Sequence, residues 1–158
     1  MNKFSEKTLK SLFEAGWTPE RETDISIEIG LLEQAKYSVF PVVKDFLKHF
    51  GGLRLSVPNP LATEIISFLD LTVERAIRSG FDREMIQGYG EDLGIEVCPI
   101  GVDRDSIVYI MSSAGYVYGI YSADTWLIGN SGEQAIDNWC NWHPQLAPFP
   151  IVYTIPDE

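Results

Sequence analysis

The chain has 158 residues and a formal net charge of −11, with 45% hydrophobic, 12% aromatic and 22% charged residues. Against a soft prior of roughly 150 residues per domain it reads as one domain, and its composition excludes disorder, collagen, coiled coil and a small disulfide scaffold. A phosphate backbone is repelled by this charge rather than drawn in through counterion release, so no nucleic-acid partner is expected. The opening MNKFSEKTLK lacks the apolar stretch of a signal peptide, and the longest apolar run, Ala114 to Tyr121, falls far short of the ~20 residues that span a bilayer. These features predict no membrane partner and a cytoplasmic location.

The charge is unevenly spread. Residues 1–80 carry 10 bases against 11 acids, whereas residues 81–158 carry only Arg83 and Arg104 against 12 acids. The same second half holds Trp126, Trp139, Trp142 and six of the seven tyrosines. Acid and aromatic residues together can steer and anchor association with a basic protein, although solubility and a Tyr-rich sheet core also account for them.

Taken in chain order, Glu6 to Ala15 reads as a helix with Ser5 as its N-cap, Leu9, Leu12 and Phe13 as its apolar stripe and Gly16 past its end. A second helix runs from Asp24 to Ala35 with Ile25, Ile27, Leu31 and Leu32 apolar. A third opens at Pro41, where the missing N–H is harmless, and carries Val42, Val43, Phe46, Leu47 and Phe50 at helical spacing. Gly51 is expected to take a left-handed cap conformation and Gly52 to release the chain toward a strand. Leu53 and Leu55 start that strand, Asn59-Pro60 turns it, and Ile65, Ile66, Phe68 and Leu69 read as another, with a helix as the alternative. Helices near Thr72 to Ser79 and Arg83 to Leu93 follow, the latter capped by Asp82 with Met85, Ile86, Tyr89 and Leu93 on one face. The pattern then switches to strands: Ile95 to Ile100, Ser106 to Ser112, Tyr116 to Tyr121 and Thr125 to Ile128. A last helix opens at Ser131 with Gln134 as a capping box, and Pro150 to Ile155 closes as an extended edge segment. Helices first and a meander later predict an α+β fold: a single domain with a curved, mainly antiparallel sheet and N-terminal helices packed against it.

No constellation for catalysis stands out. Cys98 and Cys140 are most simply free, buried and reduced thiols, and Cys140-x-x-His143 is half a zinc site without the second half's paired spacing. The two histidines accompany no nucleophile-elbow motif, so a Cys-His hydrolase is a remote reading. Gly88 to Gly94 has the wrong spacing for a nucleotide loop and carries Glu91 and Asp92, which repel phosphate. Asp103-x-Asp105 supplies too few ligands for a calcium loop and reads as a solvated turn. Trp139 and Trp142, three residues apart, are expected to pack against the sheet. Neither a cofactor nor a metal is expected, and the chain is not expected to be an enzyme.

Three stretches in order carry a resemblance: Gly16-Trp17-Thr18-Pro19-Glu20-Arg21; Phe40-Pro41 to Phe46-Leu47 and Phe50-Gly51-Gly52-Leu53; and Tyr89 through Leu93-Gly94 to Pro99-Ile100-Gly101. With the Asp105 to Tyr118 stretch around Gly115, they resemble the third subgroup of the SUKH superfamily over about residues 10–140. The resemblance implies an α+β domain and an immunity protein of bacterial polymorphic toxin systems, which binds a toxin domain and blocks it. It implies structural roles for Trp17, Arg21, Gly51 and Gly52, with Arg21 in an ion pair and Trp17 packing the first helices. The leading reading is stoichiometric neutralisation of a cognate toxin, a basic nuclease, through Asp103, Asp105, Tyr116, Tyr118, Asp124 and Trp126. The rival reading is a general regulatory or scaffolding interaction module of the same superfamily. Monomer and dimer are both open.

Overall fold

Capping residues and apolar spacing place the first helices where the sequence predicts them. A computed structural model describes residues 4–59, 62–79, 81–121 and 124–141; Trp142, His143 and the predicted Pro150 to Ile155 segment lie outside these. Helix α1 (Glu6–Glu14) starts at Ser5, whose Oγ accepts the Thr8 N–H at 3.2 Å. Helix α2 (Ser26–Gln34) buries Leu32, while Ile27 is 75% exposed, so the predicted four-residue stripe is narrower than expected. Ile25 lies just before the helix, and α2 meets the rest of the protein mainly through α4 (Val73–Ile77), which leaves its other side to solvent. Helix α3 (Pro41–Phe50) has Pro41 in its first turn and buries Val43, Phe46, Leu47 and Phe50.

The Trp17 to Gly52 region locks these helices together. The Trp17 ring stacks on Phe50 at 6.0 Å and 7° and meets Phe4 edge-on at 5.7 Å. Among the described residues Arg21 makes no ion pair. Its guanidinium donates to the carbonyls of His49 (3.0 Å) and Gly51 (2.9 Å), so it caps the C-terminus of α3, where unpaired carbonyls concentrate partial negative charge. Gly51 is not left-handed either, having φ −60° and ψ 141°. Glycine is required there because a Cβ would stand 2.6 Å from the Leu47 oxygen. Gly52, at φ +84°, makes the left-handed turn that sends the chain into the sheet.

Strands β1 (Arg54–Asn59) and β2 (Ala62–Asp70) form a hairpin, so Ile65 to Leu69 is strand rather than helix. After α4, helix α5 (Arg83–Leu93) is capped by Asp82, which accepts the Met85 N–H at 2.9 Å. Its buried residues are Ile86 and Gly90, whereas Met85 and Leu93 are exposed, because the helix approaches the sheet closely at Gly90 against Ile95 and Val97. The glycine-rich stretch is thus the second half of a helix. Four strands follow as a meander: β3 (Val97–Asp103), β4 (Val108–Ser112), β5 (Val117–Tyr121) and β6 (Asp124–Gly129). β3 begins later and runs further than expected, with a bulge between Pro99 and Gly101. Helix α6 (Gly132–Asn141) opens with the predicted Ser131 cap, whose Oγ accepts the Gln134 N–H at 3.1 Å, while Gln134 Oε1 reaches one residue further back than a capping box requires and accepts the Asn130 N–H at 2.6 Å.

All six strands join one antiparallel sheet in the order β1-β2-β3-β4-β5-β6. Helix α6 packs on β6 and also reaches β1, the opposite end of that order, so the sheet curls into a half-barrel around it. Helices α4 and α5 cover β3 from outside the curl, and α1 is tied to α6 by Asp137 Oδ1, which accepts from Ser5 N (2.9 Å) and Thr8 Oγ1 (2.7 Å). The fold is α+β as expected, but the cover comes from helices along the whole chain as well as from its N-terminus. Replacing Arg21 by Ala removes two charge-assisted bonds and is expected to lower stability in urea by about 2 kcal/mol, with Arg21→Lys recovering part of it.

Candidate functional site

The meander decides which of the predicted contact residues reach solvent. Its β3–β4 turn and its β5–β6 connection share one end, which places Asp105 and the start of β6 at Asp124 together. Tyr116 lies at the other end, beyond a β4–β5 strand pair about 15 Å long by the rise of roughly 3.3 Å per residue. There Ser112 orders the tight turn, its Oγ accepting the N–H groups of Ala114 (3.3 Å) and Tyr116 (3.1 Å). Tyr118, midway along β5, pairs directly with Leu127, while Gly119 pairs with Trp126. Side chains alternate across a strand, so Tyr118 and Leu127 share one face and Trp126 occupies the other.

That alternation separates the residues into two groups. Trp126 is 6% exposed, fits beside the Cβ-less Gly119 and belongs to the core under α6. Tyr116 is 43% exposed, Leu127 is 44% exposed, and Tyr118 is half-buried between them. Burial and the neighbouring Tyr116 phenol hold the Tyr118 hydroxyl above the usual tyrosine range. The outer face of β5–β6 is therefore an aromatic and aliphatic strip, Tyr116–Tyr118–Leu127, with Asp105 at the far end of the sheet. Leu127 was not among the residues read from sequence, because Trp126 and Leu127 are both apolar and the alternation alone does not say which points outward.

Asp103 is an interior acid. At 9% exposure, its Oδ1 accepts the N–H groups of Asp105 (2.9 Å) and Ile107 (3.0 Å), and its Oδ2 accepts the Tyr109 hydroxyl at 2.8 Å. Trp139 of α6 lies near the Tyr109 hydroxyl. Tyr109 and the backbone of the β3–β4 turn thus satisfy a carboxyl that is costly to bury alone. Asp103 builds its turn from within and is not a solvated carboxylate, and Trp139 packs against the sheet as expected. Burial pushes the Asp103 carboxyl up to about 6 despite those hydrogen bonds.

Both cysteines are free and buried, and burial pushes each thiol up to about 12, far from an activated thiolate. Among the described residues no group of three His, Cys, Asp or Glu side chains could hold a metal ion, and no helix is long and apolar enough to cross a membrane. Among the described residues no nucleophile and base are assembled side by side.

Two outcomes follow from these interior groups. The folded protein holds the Asp103 proton more tightly than the unfolded chain, whose aspartates titrate near 3.9, so the stability linked to Asp103 is full below about pH 4 and is lost as pH rises to about 6. Asp103→Asn keeps the backbone bonds without this titration, so wild-type stability in urea should fall by about 2 to 3 kcal/mol relative to the variant between pH 4 and pH 7. Parallel curves would contradict the burial of a titrating carboxyl. In native protein neither thiol should react with an aromatic disulfide reagent over minutes at pH 8, and both should react once the chain is denatured.

Comparison with known proteins adds a family. Neither the curated proteins nor the solved structures yield a match. The model of the SUKH-3 immunity protein family matches residues 4–141, which include every described element from α1 to α6. The chain belongs to the SUKH-3 immunity protein family.

Proposed function

We propose that this protein is a cytoplasmic bacterial immunity protein that neutralises a cognate polymorphic toxin domain, a basic nuclease, by one-to-one binding. The observation that carries the reading is the family match over residues 4–141. It is supported by the exposed strip on β5–β6: tyrosines and a leucine projecting from a rigid sheet are the kind of anchor that dominates protein interfaces. The net charge of −11 favours a basic partner and speeds its approach. In this reading Tyr116, Tyr118 and Leu127 touch the toxin, Asp105 and Asp124 steer it, and Trp126 and Asp103 hold the sheet from beneath. The toxin is blocked by occlusion of its active site, and no chemistry is asked of the immunity protein.

The test is growth of cells expressing the toxic domain encoded beside this gene, with and without this protein supplied in trans. Rescue and a one-to-one complex are expected. Tyr118→Ala and Leu127→Ala should each weaken the complex by about 2 kcal/mol or more, while Asp105→Lys should act mainly on the association rate. If a folded double variant at Tyr118 and Leu127 binds unchanged, this face is not the interface. Failure to rescue by soluble protein would favour instead a regulatory or scaffolding module that docks on another protein.

A further inference from the structure

The net charge conceals a cationic site. Of the six arginines in the chain, Arg21 caps α3 and Arg83 donates to the Lys36 carbonyl, and the other four converge where β2, β3 and α4 meet. Arg75, Arg78 and Arg104 line an open groove of about 460 Å³ floored by Phe68 and Val102. Arg54, from the neighbouring strand, lays its guanidinium 3.6 Å from the centre of the Phe68 ring.

Their pairing is incomplete. Arg75 meets the buried Asp70 at 3.3 Å and Arg78 meets Glu74 at 3.2 Å, one turn away. Arg54 and Arg104 are exposed and have no ion-pair partner among the described residues. Asp103 also lines the groove, but its carboxylate is engaged by Tyr109 and the backbone of its own turn. The backbone here is firmly held, because Arg104 N–H donates to the Phe68 carbonyl at 3.0 Å. Four guanidiniums without a single lysine suit planar, bidentate oxyanions rather than a diffuse polyanion.

We propose that the groove between α4, β2 and β3 is a binding site for an acidic peptide segment of a partner protein, whose carboxylates pair with Arg54 and Arg104 over Phe68. A groove of this size takes two or three side chains, more than a lone phosphate fills, and a few local guanidiniums match the separate carboxylates of a short peptide rather than the continuous charge of a long nucleic acid. The proposal does not rest on the partner being a toxin. It gives the protein a second, oppositely charged surface, so a partner spanning both must carry a basic face and an acidic loop.

The test is a titration of isotope-labelled full-length protein, followed by amide shifts, with the blocked peptide acetyl-Gly-Glu-Asp-Glu-Gly-amide. Its neutral counterpart with Gln and Asn, inorganic phosphate and an oligothymidylate serve as comparisons. Saturable shifts centred on Phe68, Arg75, Arg78 and Arg104, weakened roughly tenfold in R54Q/R104Q, are expected. Both substituted side chains are exposed, and unchanged shifts elsewhere in the spectrum confirm that the variant folds. Equal binding of the neutral peptide, an unaltered titration of the double variant, or tighter binding of phosphate or oligothymidylate than of the acidic peptide would overturn the proposal.

Discussion

The sheet depends on one narrow seam. Strands β2 and β3 pair through only Leu69 with Asp103 and Asp70 with Val102, whereas the ladders on either side run the length of their strands. Two residue pairs do not hold a sheet open against solvent, and the seam survives because polar groups and helices converge on it. Asp103 ends β3 at this point and fastens its turn, Arg104 donates to Phe68 across it, and Asp70 on the other side holds Thr72 and Arg75 as the chain turns into α4. Helix α6, through Trp139 and Tyr109, reaches the same carboxylate from inside the curl.

Placing acids at a seam has a consequence for the surface above it. A buried carboxylate needs donors, and those here are mostly backbone and phenol, so the arginines gathered nearby are only half used. The outer surface of the seam is cationic in a chain whose net charge is −11. The aromatic strip on β5–β6 sits on the other part of the sheet, where five residue pairs run from Tyr121 to Val117 with one irregularity between Val117 and Tyr118. The two surfaces differ in origin: one follows from how the seam is held, the other from what β5 and β6 leave uncovered.

The reactive side chains among the described residues serve the interior. Cys98 and Cys140 are wholly buried, with thiols pushed up to about 12, and serve as small apolar groups in the core. Asp103, the one carboxyl among the described residues that burial raises strongly, spends both oxygens on structure. Membership of an immunity protein family accords with a molecule whose polar interior stabilises a surface instead of forming a pocket for chemistry.

Local chemistry determined much on its own: the caps at Ser5, Asp82 and Ser131, the proline that opens α3 and the meander after Gly94 are all legible in the sequence, because each depends on residues within a few positions of one another. The ordered Gly-Trp, Phe-Pro and Pro-Ile-Gly stretches were likewise enough to indicate the family. Tertiary structure alone decided that Arg21 caps a helix nearly thirty residues away, that Gly52 rather than Gly51 turns left-handed, that Asp103 and Trp126 go inside while Leu127 stays outside, and that three arginines line one groove with a fourth stacked on its Phe68. For the two glycines the reason is the close approach of the Leu47 carbonyl and the turn into the sheet; for the others it is the choice of side. A strand of alternating apolar residues is compatible with either face, and a charged side chain with either solvent or a partner, until the curl of the sheet determines what lies opposite.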